Sequence, residues 1–169
     1  MRIGIASDSH DNIANLRYTV DYCNHFSVSV FIHCGDLISP FMLDELARFG
    51  GAVHLVYGNN IGDVHLISQA CGTRFPSITH HGNLGAVEAG GLKIAFTHYP
   101  EMARGIAALQ NFDVVCCGHN HRYKVEERGT TLLINPGELL GKDDSPGFCI
   151  LETLDRQVER VYVGKVAGI

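Results

Sequence analysis

The chain has 169 residues, 46% hydrophobic and 18% charged, which describes an ordinary globular protein with enough length for one domain, residues 1–169, around a substantial core. The formal net charge of −5 argues against broad non-specific nucleic-acid binding, which needs clustered Lys and Arg. No apolar run approaches the ~20 residues of a membrane span, and Met1-Arg2 leads straight into a strand pattern with no signal-peptide core, so a cytoplasmic protein without a membrane partner is expected.

Residues 2–7 read as a short apolar strand that reaches Ser7-Asp8-Ser9-His10. Asp11 or Asn12 can then cap a helix on which Ile13, Leu16, Val20 and Cys23 recur at helical intervals. A second strand, 29–33, runs into Cys34-Gly35-Asp36. Ser39 and Pro40 suit the N-cap and first position of a helix that Gly50-Gly51 ends. A third strand, 52–57, delivers Gly58-Asn59-Asn60, and a helix from about Asp63 to Cys71 follows. Three strand–helix units in succession predict an α/β fold with parallel strands.

After Pro76 the pattern changes. The short runs 78–81, 84–89 and 92–97, separated by glycines, predict antiparallel hairpins, the last ending at His98. Pro100 opens a helix with Met102, Ala103, Ile106 and Leu109 on one side. A strand at 113–117 ends in Gly118-His119-Asn120-His121. Runs at 123–128, 130–135, 147–154 and 157–163 complete a second, mostly antiparallel set. So many strands in one chain predict two mixed sheets packed face to face, with helices outside.

Five of these strands end in residues that can ligate a metal: Asp8 and His10, then Asp36, Asn59, His98, and His119 with His121. All are oxygen or nitrogen donors, which suits Mn²⁺, Fe, Zn²⁺ or Mg²⁺ rather than copper or an iron–sulfur cluster. Seven ligands are too many for one ion and suit two that share a bridging carboxylate. Two divalent ions about 3.5–4 Å apart can clamp the attacking and leaving oxygens of an in-line phosphoryl displacement.

Asp8-x-His10, Gly35-Asp36, Gly58-Asn59, His98 and Gly118-His119-x-His121 resemble, in order and spacing, the metal-binding motifs of the calcineurin-like metallophosphoesterases. The resemblance runs from the first strand to Asn135-Pro136-Gly137. The absence of a long insertion is similar to the small bacterial and archaeal phosphodiesterase branch, which includes the scaffold subunit of eukaryotic retromer. It implies a four-layer αββα fold, with Asp8, His10 and His121 on one metal and Asn59, His98 and His119 on the other. Asp36 is implied as the bridge. The implied activity is hydrolysis of a small phosphate ester, a diester before a monoester, by in-line attack of a metal-bridging hydroxide. Asn59 and His98 would help neutralise the charge that develops. The implied cofactor is a pair of divalent ions, manganese first, with Fe, Zn, Ni or Mg as substitutes. Members of this branch often self-associate, so a homo-oligomer is also implied. The alternative is a metal-free or catalytically weak scaffold on the same fold.

Asn60 departs from the pattern. Many members of the resembled family carry His after the Gly-Asn pair, and the small branch usually carries Cys-Asp. This chain reads Gly58-Asn59-Asn60-Ile61. Asn60 falls in the implied reaction centre as a candidate catalytic residue, but an amide can donate a hydrogen bond without serving as a general acid at neutral pH. The remaining features have plainer readings. His25, His54, His65, His80 and His81 match no motif and read as surface or structural residues. His33 could orient a ligand from behind. The six cysteines form no C-x-x-C pair and read as buried thiols, and Lys142-Asp143-Asp144-Ser145-Pro146 reads as a solvated turn.

Overall fold

The computed structural model describes residues 1–164, so the last part of the expected domain, 165–169, lies outside the described residues. In chain order the elements are β1 (Arg2–Ala6), α1 (Ile13–His25), β2 (Val30–His33), α2 (Met42–Leu46), β3 (Ala52–Leu55), α3 (Val64–Ala70) and β4 (Ile78–His80). There follow β5 (Leu84–Ala89), β6 (Leu92–Thr97), α4 (Pro100–Ala108), β7 (Val114–Cys116), β8 (Tyr123–Arg128), β9 (Thr131–Pro136), β10 (Gly147–Glu152) and β11 (Val158–Tyr162). They build a six-stranded sheet, β11-β10-β1-β2-β3-β4, and a five-stranded sheet, β5-β6-β7-β9-β8. Both are mixed.

Two-residue periodicity explains the layering, because alternate side chains of a strand leave opposite faces. Ile3 and Ile5 of β1 meet Ile94 and Phe96 of β6, Val114 and Cys116 of β7, and Ile134 of β9 in the core between the sheets. On the far face of the first sheet, Ala6, Phe31 and Val53 pack against Leu16, Val20, Met42 and Leu46 of the helices. On the far face of the second sheet, Ala95, Val115 and Leu133 pack against Ala103 and Ala107 of α4. Helix, sheet, sheet and helix form the four layers expected. Each fully buried aliphatic or aromatic side chain in these layers contributes roughly 1.5–3 kcal/mol of transfer free energy.

Several local expectations are corrected. The helix expected from Ser39-Pro40 begins at Met42. Ile38 has φ 85°, and the Ser39 N–H and hydroxyl are both committed to the Asp11 carboxylate, so the chain cannot be helical there. It passes instead through turns in which Met42 N donates to Ser39 O and Leu43 N to Pro40 O. The run at 78–80 is not a hairpin arm but lies parallel to β3, because α3 intervenes and carries the chain back along the sheet. The runs at 147–152 and 158–162 join the first sheet rather than the second, β10 pairing antiparallel with β1. The physical reason is burial: Gly147 to Leu151 are all buried, which demands a central strand covered on both faces. On α4 the buried side is Pro100, Ala103 and Ala107, whereas Met102 and Leu109 are exposed. Phe41, just before α2, is likewise exposed. Asn12 is the cap of α1, its side chain accepting from Asn15 N at 3.1 Å, and Asp63 caps α3. The described cysteines are free thiols, all buried except the partly buried Cys71. Among the described residues no helix is long and apolar enough to cross a membrane.

His25 and His65 are exposed, as surface histidines should be, but His54, His80 and His81 gather at the end of the first sheet. His54 Nδ1 lies 3.0 Å from His81 Nε2, and the His80 ring lies 3.9 Å from that of Tyr57. Burial, aided by the neighbouring His81, pushes His80 from 6.5 down to about 4. In the unfolded chain this group takes a proton near 6.5, so its contribution to stability is intact above that pH and is lost as pH falls from 6.5 to about 4. His80→Asn is expected to flatten the decline of the urea midpoint over that interval. An unchanged slope would show that His80 is not neutral in the fold.

Candidate metal centre

Parallel ladders join β1, β2 and β3 in the first sheet and β6 and β7 in the second, and the carboxyl ends of these strands lie at one edge of the sandwich. That edge is where open α/β sheets gather ligands. Each strand stops just before a residue of the predicted set, and the loops are stitched together. Asp8 N donates to Gly35 O and His10 N to Asp36 O, each at 3.0 Å, and Gly118 N donates to His98 O at 3.0 Å. Leu139 N and Leu140 N donate to Ser7 O and Asp8 O, so the loop after β9 closes the cradle.

The backbone there is left-handed. Asp8, His10, Asp36, His119 and His121 all have φ between 43° and 74°. Non-glycine residues adopt this region at a cost of roughly 1–2 kcal/mol each. Such residues concentrate at functional sites, where the surroundings hold them in place. The turn redirects each side chain from the strand axis toward a common point. Two motif glycines are steric requirements of the same convergence. A Cβ on Gly58 would overlap Asp36 Oδ1, and a Cβ on Gly118 would overlap Ser7 Oγ and lie 2.6 Å from Asp8 Oδ2.

The side chains converge as two groups. Asp8, His10 and His121 form one set of potential ligand atoms, and Asp8, Asp36 and His98 another. Asp8 Oδ1 lies 3.4 Å from His121 Nε2, 3.8 Å from His10 Nε2 and 4.0 Å from His98 Nε2. Asp36 faces two imidazoles, with Oδ2 at 3.4 Å from His10 Nε2 and Oδ1 at 3.5 Å from His98 Nε2. Asn59 Oδ1 stands 2.9 Å from His98 Nε2 and 2.7 Å from His119 Nδ1. All seven predicted ligand residues therefore meet at one place. Asp8, Asp36 and His98 are buried, and Asn59 and His119 are exposed at the mouth.

Donor chemistry at this point fits a cation. Asp8 Oδ1 and His10 Nε2 are buried and make no hydrogen bond. Leaving buried polar atoms without partners costs roughly 1–3 kcal/mol each, so they mark a place where a ligand belongs. His98 Nδ1 is 2.8 Å from the Cys34 carbonyl, which only accepts, so the ring proton sits there and the Nε2 lone pair faces the oxygens of Asn59 and Asp36. Burial pushes the Asp8 carboxyl up, but the His10 contact and the fields of His98 and His121 outweigh it and hold it below its ordinary value. The Asp8 contact in turn raises His10 against its burial. His33 Nε2 contacts Ser9 Oγ at 3.1 Å, behind the ligand loop, and burial pushes it down to about 4, so it stays neutral.

Two features escaped the sequence. Asn60 turns inward: its backbone N and its side-chain Nδ2 donate to Asp36 Oδ1 and Oδ2 at 2.8 and 2.7 Å. It clamps the carboxylate rather than pointing out of the site. Glu138, fully buried, stands 2.8 Å from His121 Nδ1 and also binds the turn at 143–144, which is therefore tied to the site. An isolated Glu beside Pro136-Gly137 carries no motif that would have flagged it.

Fold and site define a class. Residues 1–156 match the calcineurin-like phosphoesterase superfamily domain, and the chain belongs to that family. It is 31% identical over 169 aligned positions to phosphodiesterase MJ0936 of Methanocaldococcus jannaschii, covering 96% of this chain and 99% of that one. A solved structure described as a novel archaeal phosphodiesterase superposes with a TM-score of 0.88 at 31% identity, covering 96% and 99% of the two chains. A Vps29 variant from Entamoeba histolytica shares the fold, with a TM-score of 0.69 at 20% identity over 96% of this chain and 99% of that one.

Gly118→Ala is expected to lower stability by about 1–3 kcal/mol, as overpacking does, and to weaken binding of Mn²⁺ by displacing Asp8. Chemical denaturation and metal titration of the same variant check both effects. Unchanged metal affinity would mean that the close approach of Gly118 to Ser7 and Asp8 does not shape the site.

Proposed function

We propose that this chain is a metal-dependent phosphoric ester hydrolase that favours diesters. The observation that carries this reading is the pair of buried, unpartnered atoms, Asp8 Oδ1 and His10 Nε2, facing His121, His98 and Asp36. Asp8, His10 and His121 would hold one divalent ion, and Asn59, His98 and His119 a second. Asp36, whose two oxygens face different imidazoles, would bridge them. Manganese is the first choice and Fe, Zn, Ni or Mg the substitutes, since this ligand set accepts several ions. When bound, such ions lower the pKa of water and balance the charge developing on phosphoryl oxygens. The phosphodiesterase relatives support the diester class. The same reading makes the protein a one-domain cytoplasmic enzyme with a small phosphate-ester substrate.

The chain's own residues shape what leaves easily. Asn60 spends its amide on Asp36 Oδ2 and its backbone N–H on Asp36 Oδ1, fixing the carboxylate. It supplies no acid, because an amide does not release a proton at neutral pH. General acid catalysis is typically worth about 10²–10⁴-fold, so without it turnover should depend steeply on the acidity of the leaving alcohol. Asn59 and His119 are exposed at the mouth and would be the first of the set to meet a substrate. His98, buried and with Nδ1–H donated to the Cys34 carbonyl, keeps a fixed orientation in which its Nε2 lone pair would face the second ion, and it would serve phosphoryl charge only through that ion.

With Mn²⁺ added, hydrolysis of aryl diesters is expected to exceed that of alkyl monoesters by at least the lower end of that acid contribution, about 10²-fold. A screen of paired mono- and diesters, cyclic nucleotides included, checks this, and rapid turnover of a plain alkyl monoester would overturn the preference. Asp36→Asn is expected to weaken both equivalents of Mn²⁺ in calorimetric titration, because the bridge loses its charge. Loss of one equivalent alone would remove Asp36 from the bridging position.

A further inference from the structure

Glu138 is fully buried in the turn after β9 and belongs to neither group of potential ligands. Its two oxygens face different neighbours. Oε1 accepts the backbone N–H groups of Asp143 and Asp144, at 2.5 and 2.8 Å. Oε2 stands 2.8 Å from His121 Nδ1 in an ion-pair contact outside hydrogen-bond geometry, and neither atom hydrogen-bonds to any group. Across the same ring, Nε2 faces Asp8 Oδ1 at 3.4 Å. Asp143 Oδ2 also approaches Nδ1, at 3.3 Å, but its side chain is 57% exposed, so water competes for it. The held segment walls a cavity of about 630 Å³ beside the site, lined by His121, Arg122, Tyr123, Asp144 and Arg160.

We infer that Glu138 is a positioning residue: its Oε2 keeps the His121 proton on Nδ1, and its Oε1 pins the 143–144 turn against the site. A carboxylate draws the ring proton toward the nitrogen it faces, and Glu138 Oε2 at 2.8 Å from Nδ1 lies nearer than Asp8 Oδ1 at 3.4 Å from Nε2, so the proton sits on Nδ1. The Nε2 lone pair is then free to ligate, which is how a carboxylate behind a histidine supports a metal site. The ligating consequence rests on the proposed metal chemistry. The tautomer and the held turn do not.

Glu138→Gln separates these roles because it keeps size and burial. If the amide oxygen faces the Asp143 and Asp144 N–H groups, its NH₂ faces His121 and drives the ring proton to Nε2. If the oxygen faces His121, the NH₂ meets two N–H donors and the turn is released. In metal-free wild type at pH 8, ¹⁵N NMR of labelled histidines is expected to show His121 protonated on Nδ1. In Glu138→Gln it should show the opposite tautomer, or backbone relaxation of uniformly ¹⁵N-labelled protein should show new mobility at 143–144. Titration with Mn²⁺ should show about 10–100-fold weaker binding in Glu138→Gln and wild-type binding in Asp143→Ala. An Nε2–H tautomer in wild type would overturn the assignment, and so would undiminished Mn²⁺ affinity in Glu138→Gln or a loss caused by Asp143→Ala instead. If Glu138→Gln does not fold, the wild-type tautomer decides. If wild type binds no Mn²⁺, the hydrolase reading fails while the NMR result still judges Glu138.

Discussion

Everything at this edge of the molecule is arranged around one buried carboxylate. Asp8 has no exposed surface, and burying an ionised carboxylate costs several kcal/mol unless something offsets it. One oxygen is satisfied by His119 N at 3.0 Å, which ties the end of β1 in the first sheet to the end of β7 in the second. The other oxygen is bare toward its protein neighbours and looks into a ring of imidazoles. The two sheets thus meet at their working edge through a charge that the fold alone leaves half-compensated.

That arrangement has a stability cost that the layers behind it carry. Five residues of the convergent set occupy left-handed backbone, each an expense that a plain sandwich would avoid. The cores on both faces of both sheets supply the compensation, with Phe31, Phe96 and Phe148 fully buried. The outer groups at the site serve the same end. Asn60 fixes Asp36, Cys34 O fixes His98, and Glu138 faces His121 from behind. Side chains that converge from short loops need such supports to hold a geometry, because the loops themselves bury little apolar surface.

Much of this was legible in the sequence, for identifiable reasons. A strand running into an Asp, Asn or His recurs, so the repetition marked Asp8, His10, Asp36, Asn59, His98, His119 and His121 where any one of them would have been weak. Strand periodicity marked the sandwich. What escaped was whatever depends on partners far along the chain. Nothing in 147–163 says which sheet it joins, and β10 crosses to β1 because both its faces must be covered. Residues 78–80 look like a hairpin arm until the preceding helix is seen to return the chain in parallel. The inward turn of Asn60 and the place of Glu138 are matters of side-chain direction, which spacing does not encode.

The central claim is that these side chains together hold two divalent ions. Anomalous diffraction from crystals of the protein grown with Mn²⁺ tests it most directly. Two peaks are expected, one among Asp8, His10 and His121 and one among Asn59, His98 and His119, with Asp36 between them. A single peak, or none with the manganese in excess, would contradict the account.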